Sequence, residues 1–564
     1  MEDPITRTCS LLISTATAGM IALATLAPAA AAASTAATAD PARTYIRARV
    51  AAMNGDHSSA AELLSALSST RPGERDLKGQ ALGEAMGAGR MDLAIPAARA
   101  MPTNELASDA RLLLVADAVK RGRLSDAKSL LAIKGATGDL LFLAPLVDAW
   151  GAAEGRDEAK AMASLNQIPA NGLLTPFRDE QQALILLKFG RTAEAEPFAR
   201  RAIGSAGPRE MKVRLVLADA FLAARDKERA AIMLDGSGAD GFVPRQLLLS
   251  GKSIGIRVDT LPEALSDVLA ALAADVARRQ RGMPPFGLIQ VARYLDPANS
   301  SATALMAVLL ETRDRSKEAL TVLRAIPASD PLNSPVRDLE AQILIEEKDI
   351  AGAFRLAQAG AASPTAGPAD HARLGNVLVA MERNGEAAQS FDRAIVLAER
   401  IGVRDEVWPL HLLRADALLK TERWDEVKSS LNAALAMSPD QPLILNYLGY
   451  AKLERGEDMD AAEAMIRKAS ELAPDDASII DSLGWAQFKR GKVSEAIATL
   501  QEAAIKDPAQ AEIHEHLGDA LFTSGRRYEA RFAWSAALIT AEEHVARRIR
   551  AKLDHGLTEA NAAP

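Results

Sequence analysis

Seven histidines, His57, His371, His411, His514, His516, His544 and His555, are the side chains best suited to acid–base or metal chemistry near neutral pH. A metal needs several of them on one face at one site. The closest pair, His514 and His516, are two residues apart, so on a helix they point in different directions. They are expected to be solvated or packing residues. Gly251-Lys252-Ser253 ends as a phosphate-binding loop would, but the first glycine of that loop should stand at position 246, which is Gln246. No clear strand precedes it. The one cysteine, Cys9, permits no disulfide framework and no cysteine metal site. No Ser-His-Asp elbow or dinucleotide fingerprint occurs. The sequence is therefore expected to carry no catalytic residues, no metal site and no cofactor, and not to be an enzyme.

What remains is a surface, and a repeat positions it. Leu483 and Gly484 stand 34 residues before Leu517 and Gly518. At the same offset Gly491 answers Gly525, Ala496 answers Ala530, Leu500 answers Trp534, Ala503 answers Ala537 and Pro474 precedes Pro508. The copy before, with one extra residue in its turn, supplies Leu448, Gly449, Gly456, Ala462, Ile466 and Ala469. Each copy holds two apolar runs of helical period around a glycine turn. Small residues fall where two helices approach, large ones fill the space between, and the proline is expected to open the next helix. A lone hairpin cannot bury its apolar face, so the copies must stack as a solenoid.

Counting from Ala477 as the first residue of its copy, residues 2, 5, 9, 12 and 13 of the first helix face the concave side. These include Asp481, Trp485, Phe488 and Lys489, with Asn446 and Tyr450 in the copy before and Glu515, Asp519 and Phe522 in the copy after. Aromatic anchors edged by acids suit a protein-binding groove. Packing between helices is the other reading of Trp485 and Phe488. The acids stand where a clamp for a C-terminal carboxylate would need cations, so basic or apolar segments are the expected ligands.

A chain of 564 residues exceeds one compact core. Its 48% apolar content with only 4% aromatics suits close-packed helices. A net charge of −8, without long single-sign runs, argues against nucleic-acid binding, which requires a basic face. Residues 1–33 read as a signal peptide, with Arg7, an apolar stretch from Leu11 to Leu26 and small-residue cleavage sites from Ala27 to Ala33. Cleavage near Ser34 and retention as a membrane anchor both stay open. Residues 41–235 read as five or six degenerate hairpins, marked by Gly55 with Ala60, Gly89 with Ala94, Gly122 with Ala127 and Gly190 with Ala195. An unrelated helical solenoid is the alternative. Residues 236–260 read as a linker, and Thr260 with Glu263 as a capping box that opens a long helix. A regular array is expected over 261–540, followed by a capping helix and tail over 541–564. Arg547, Arg548, Arg550 and Lys552 make a basic docking site the second reading of that helix.

This pattern resembles the tetratricopeptide repeat. Leu445 to Tyr450, Asp481 to Trp485 and His516 to Asp519 further resemble a group of exported bacterial proteins that share these motifs in consecutive copies. That group is similar to outer-membrane lipoprotein adaptors of carboxy-terminal processing proteases. The resemblance implies an all-α, right-handed superhelix of helical hairpins, degenerate at the N-terminal end and regular at the C-terminal end. It implies a non-catalytic periplasmic scaffold whose partners are proteins or peptides, such as a carboxy-terminal processing protease or a peptidoglycan hydrolase. The lipid-acceptor cysteine of the group is lacking, so membrane anchoring does not carry over. A solenoid-bearing lytic enzyme and a cytoplasmic assembly factor are the alternatives.

Overall fold

The computed structural model describes residues 40–103, 105–133, 139–237, 241–279, 286–402 and 407–563. The expected signal peptide lies outside them. Among the described residues the chain is all-helical, with thirty α-helices and no strand. They fall into two compact units, residues 40–365 and 366–563. None of the helices is long and apolar enough to cross a membrane.

The unit at 366–563 is built from five helical hairpins and a closing helix. Its regular copies pair Pro442–Glu454 with Met459–Leu472, Ala477–Lys489 with Val493–Lys506, and Ala511–Thr523 with Arg527–Ala537. The repeat spacing is explained by one contact made in four of these five hairpins. A methyl group on Gly484 would lie 2.6 Å from Leu500 Cγ, one on Gly518 2.3 Å from Trp534 Cδ1, and one on Gly375 2.5 Å from Phe391 Cε1. In the copy with the longer turn the partner of Gly449 is Ile466, at 2.7 Å. In these four hairpins the two helices touch where the first has no side chain, and a large apolar residue of the second fills the space. Ala462, Ala496 and Ala530, on the second helices, are fully buried.

Turns follow one rule. After Ala477–Lys489, Gly491 takes φ 76°, its N–H reaches Phe488 O, and the next N–H, of Lys492, reaches Gln487 O. This closes the helix and satisfies two of its last carbonyls. Several second helices are then capped by an aspartate, as Asp458 caps Ala461, and others start at an arginine that grips the glutamate three residues on. Arg383 with Glu386 and Arg315 with Glu318 are two-pronged pairs of this second kind. Pro474 and Pro508 do not open the next helix, which starts at Ala477 or Ala511. They stand in the turn, where a missing N–H and a fixed φ stop the preceding helix.

In the unit at 40–365 the degenerate half forms six hairpins, from Pro41–Met53 to Lys227–Met233. The marker residues Ala60, Ala94, Ala127 and Ala195 are all fully buried, and so are Ala161 and Ala230 at the same place in their hairpins. The segment read as a linker contains a helix, Phe242–Leu249, and its following loop is tied to the array by Asp219. The capping box forms as expected: Glu263 Oε2 accepts from the N–H groups of Asp259 and Thr260 at 2.7 and 2.9 Å. The helix it opens, Leu261–Arg279, does not begin a regular array. Together with Phe286–Leu295 it turns back across the first helices Arg75–Gly87, Ser108–Lys120 and Ala144–Glu154. Lys120 Nζ donates to Tyr294 O at 2.6 Å, Tyr294 Oη to Asp117 Oδ1 at 3.1 Å, and Leu261 N–H to Glu154 Oε1 at 2.8 Å. Regular hairpins resume at Ser300–Glu311 with Ser316–Arg324.

Candidate protein-binding groove

The first helices of the three regular copies each run 13 residues and start where the repeat count places them, at Pro442, Ala477 and Ala511. Their C-terminal ends are open: Glu454, Lys489 and Thr523 are exposed. The floor between them is closed. Tyr450, Asp481, Trp485, Glu515 and Asp519 are buried, and Asn446, Phe488 and Phe522 are partly so.

Trp485 is the centre of a stack that crosses two copies. Its ring lies 4.1 Å from that of His516, nearly parallel at 13°, and 5.0 Å from that of Phe488, while Lys489 Nζ sits 5.1 Å above it. Trp485 therefore packs between neighbouring first helices. The same residue belongs to the apolar cluster of Tyr450, Leu453, Leu483 and Ala486, which also includes Ala563.

His516, expected to be solvated or packing, is half of a buried ion pair. Its Nδ1 lies 2.9 Å from Asp481 Oδ2. Burial alone would lower the imidazole, but the Asp481 carboxylate, helped by Glu512 and Glu515, pushes it up to about 9. The pair locks Trp485 between Phe488 and a charged ring.

The acids expected to meet positive groups of a ligand are met from within the chain. Helix Glu543–His555 closes the solenoid and sends Lys552, fully buried, between Glu515 and Asp519. Lys552 Nζ lies 2.6 Å from Glu515 Oε1 and 2.7 Å from Asp519 Oδ2, and Arg548 holds Glu515 through two bonds of 2.8 Å. Burial works against the charge of Glu515, yet Arg548 and Lys552 outweigh it and hold that carboxyl below its usual range. At Asp519 burial prevails over Lys552, and the carboxyl is raised. Trp534 Nε1 donates to Asp519 Oδ1 at 2.9 Å, which ties the second helix of the copy into the same network.

Beyond the closing helix the chain reverses at Gly556, with φ 81° and so little room that a methyl group would lie 2.8 Å from Phe522 Cζ. The tail then runs back over the floor. Leu557 packs on the last hairpin, Asn561 is 7% exposed, and Ala563 is buried with its N–H 3.0 Å from Asp519 Oδ2. Asn561 folds the tail into a turn, accepting from Thr558 N–H at 2.7 Å and donating to Gly556 O at 2.9 Å. Among the described residues, Trp485 Nε1 and Asn446 Oδ1 are buried with no hydrogen-bond partner.

Neither the tail nor the Lys552 network was read from the sequence. One signal was available. The last copy places Glu515 and Asp519 on a face that the solenoid must bury, and only a basic helix immediately following could neutralise them. His516 also had one, since it stands 35 residues after Asp481, one repeat and one residue away.

The glycine-rich Gly251-Lys252-Ser253 segment does hold an anion, a protein one. Asp219 accepts from Ser253 Oγ at 2.8 Å and from the N–H groups of Ile254, Gly255 and Ile256 at 3.0, 3.1 and 3.3 Å. The histidines do not gather. His57 pairs with Glu84 at 2.7 Å and His514 bonds Pro508 O at 3.0 Å, while burial lowers His371 and His411. Among the described residues no group of three or more His, Cys, Asp or Glu side chains could hold a metal.

Comparison with known proteins agrees with the repeat. Residues 484–525 match the family described as TPR repeat, and residues 181–239 and 412–477 match a second described as tetratricopeptide repeat. No curated protein matches the chain. Among solved structures, a tetratricopeptide repeat protein from Parabacteroides merdae is 12% identical and has a TM-score of 0.37, covering 45% of this chain and 96% of its own. Yeast Tom70 is 13% identical with a TM-score of 0.31, covering 92% and 95%. YrrB, described as a TPR protein with an unusual peptide-binding site, is 17% identical with a TM-score of 0.26, covering 33% and 91%.

Proposed function

We propose that this chain is a non-catalytic, exported scaffold that binds proteins in the bacterial cell envelope through the first-helix face of residues 442–523, where it recruits a carboxy-terminal processing protease or a cell-wall hydrolase. The observation that carries the reading is the seating of a polypeptide segment on that face: residues 556–563 lie along the floor and bond to it through a main-chain N–H. A surface that receives one polypeptide segment has the shape and hydrogen-bonding groups to receive another. The exposed rim residues Glu454, Lys489 and Thr523 are where a partner would meet the edge.

Photo-crosslinking residues placed at Lys489 and Thr523 test this in cells, with Glu502, exposed on a second helix, as the control. A discrete protease or hydrolase crosslinked from the first two positions and not from the third is the expected result; equal labelling from all three would overturn the assignment. Clearing of peptidoglycan by the purified chain in a zymogram would favour the lytic-enzyme reading instead. Mass spectrometry of the mature protein is expected to find an N-terminus near Ser34, and an intact Met1 in a soluble fraction would defeat export.

A further inference from the structure

The groove already has an occupant, and its chemistry describes what else fits. We infer that residues 557–563 are a resident ligand of the groove over Tyr450, Trp485 and Asp519, and that the partner is a polypeptide segment that presents a small, uncharged residue at the position of Ala563 and exchanges with this tail. The inference rests on the scaffold reading above and specifies the ligand of the same face.

Three observations carry it. The site selects for size: Ala563 is 4% exposed within the cluster of Tyr450, Leu453, Trp485 and Ala486, so a long side chain there has nowhere to go. It offers a cation nothing, since Arg548 and Lys552 already pair with Glu515 and Asp519, and the remaining demand of Asp519 is met by the main-chain N–H of Ala563. A lysine or arginine arriving here would find no unpaired acid. And the match is incomplete. Trp485 is 1% exposed, and among the described residues its Nε1–H has no acceptor, while Asn446 Oδ1, on the neighbouring first helix, has no donor. A buried unpaired donor or acceptor is costly. Every peptide unit offers one C=O and one N–H, so a segment in a slightly different register satisfies groups the tail leaves bare. That difference is what allows an intermolecular ligand to compete with a tethered one.

The tether is built to release. Gly556 is the one residue joining the closing helix to the tail, and it combines a left-handed backbone with close contact to Phe522. Lys552 and Arg548 lie before it, on the helix, so the cations of the network stay with the helix when the tail leaves, and Asp519 gives up only the N–H of Ala563.

The test uses a fluorescently labelled peptide with the sequence of residues 557–564 and measures its anisotropy against three proteins: the full chain, the chain ending at Gly556, and the full chain carrying Gly556→Val. The tethered tail competes at an effective concentration of roughly millimolar. The shortened chain is therefore expected to bind the peptide at least about tenfold more tightly than the full chain. Gly556→Val should gain in the same direction, because a β-branched residue resists the left-handed backbone and collides with Phe522. A peptide with arginine in place of the residue equivalent to Ala563 should lose binding to all three. Hydrogen exchange over residues 477–523 establishes that the shortened chain keeps its helices. Intact helices without peptide binding would overturn the inference while leaving the scaffold reading to the crosslinking result. Concentration-dependent dimers of the full chain that vanish on shortening would also overturn it, since the tail would then fill the groove of a second copy. Binding of the peptide without any crosslinked partner would separate the two in the other direction.

Discussion

Replacing Gly484 with alanine is the sharpest test of how this solenoid is held together, because two effects of opposite sign compete at one atom. In the middle of a helix, glycine to alanine is intrinsically stabilising by about 1 kcal/mol. Here the added methyl would lie 2.6 Å from Leu500 Cγ, 2.8 Å from Cδ2 and 3.3 Å from the Leu500 backbone N. Carbon atoms rest at about 3.5–4.0 Å, so the contact is about 1 Å too short. Leu500 cannot swing clear, because the crowded atom is Cγ at its base and its own backbone stands behind. The second helix must move instead, at a cost of about 1–3 kcal/mol, and the variant is expected to be destabilised by roughly 1 kcal/mol net. Gly83, within helix Arg75–Gly87, has nothing within 4 Å of its methyl position, so Gly83→Ala is expected to stabilise by about 0.5–1 kcal/mol. Leu500→Ala alone should cost about 2–5 kcal/mol, and the double variant Gly484→Ala with Leu500→Ala less than the sum by about 1–2 kcal/mol, since the methyl enters the vacated space. Stacked repeats need not unfold in one step, so opening free energies are read by native-state hydrogen exchange on peptides from residues 477–506 of the full chain. If Gly484→Ala stabilises as Gly83→Ala does, or the two changes at 484 and 500 simply add, the repeat contact does not hold the hairpin.

Three further outcomes are expected. His516 is raised from 6.5 to about 9, so its contribution is complete below pH 6.5 and is lost as pH rises through 9; at 1.4 kcal/mol per pH unit this is about 3 kcal/mol, read as a fall in stability of the 477–523 region between pH 6.5 and 9 that His516→Gln abolishes. Lys552→Met leaves Asp519 buried without its cation, while Glu515 keeps Arg548, and should cost about 3–5 kcal/mol, measured as lost protection in Glu543–His555, with partial recovery when Asp519→Asn is added; a neutral effect would show that the network is unimportant. Glu382 holds a left-handed φ of 59° in a turn where other copies use glycine, so Glu382→Gly should stabilise its hairpin by about 1 kcal/mol in urea titration monitored by exchange, and a loss would mean that its side chain matters more than its backbone.

The repeat was legible because it is periodic. Gly484 with Leu500 and Gly518 with Trp534 recur at a fixed offset, and the physical reason for that offset is a single close contact that both copies make. The degenerate hairpins were legible from less, since the buried alanine five residues past the turn survives in Ala60, Ala94, Ala127 and Ala195 even where the large partner has drifted. The arginine-to-glutamate clasp at second-helix starts, as in Arg526 with Glu529, was equally available as a spacing of three. What periodicity cannot show is which segment lies across the repeats. Residues 261–295 and 556–563 make their contacts with residues far away in the chain, and nothing in their local pattern names the partner. The acids at 515 and 519 looked like a charged rim because a count of helix faces cannot tell an open face from one covered by the next element.

The folding back of residues 261–295 has a consequence for how this protein acquires its structure. Hairpin arrays are assembled from neighbours, so they can in principle order progressively as the chain lengthens. Here Gln290 reaches the carbonyl of Gly87 across 203 residues, and Lys120 that of Tyr294 across 174. Closing loops of that size must precede the contacts they reward, which slows the final step and raises its dependence on the whole region being present. The early hairpins should therefore persist for a time with their inner faces wet, and should lock together only when residue 295 has arrived. A unit that would otherwise fray from its ends becomes one whose hairpins stand or fall as a group.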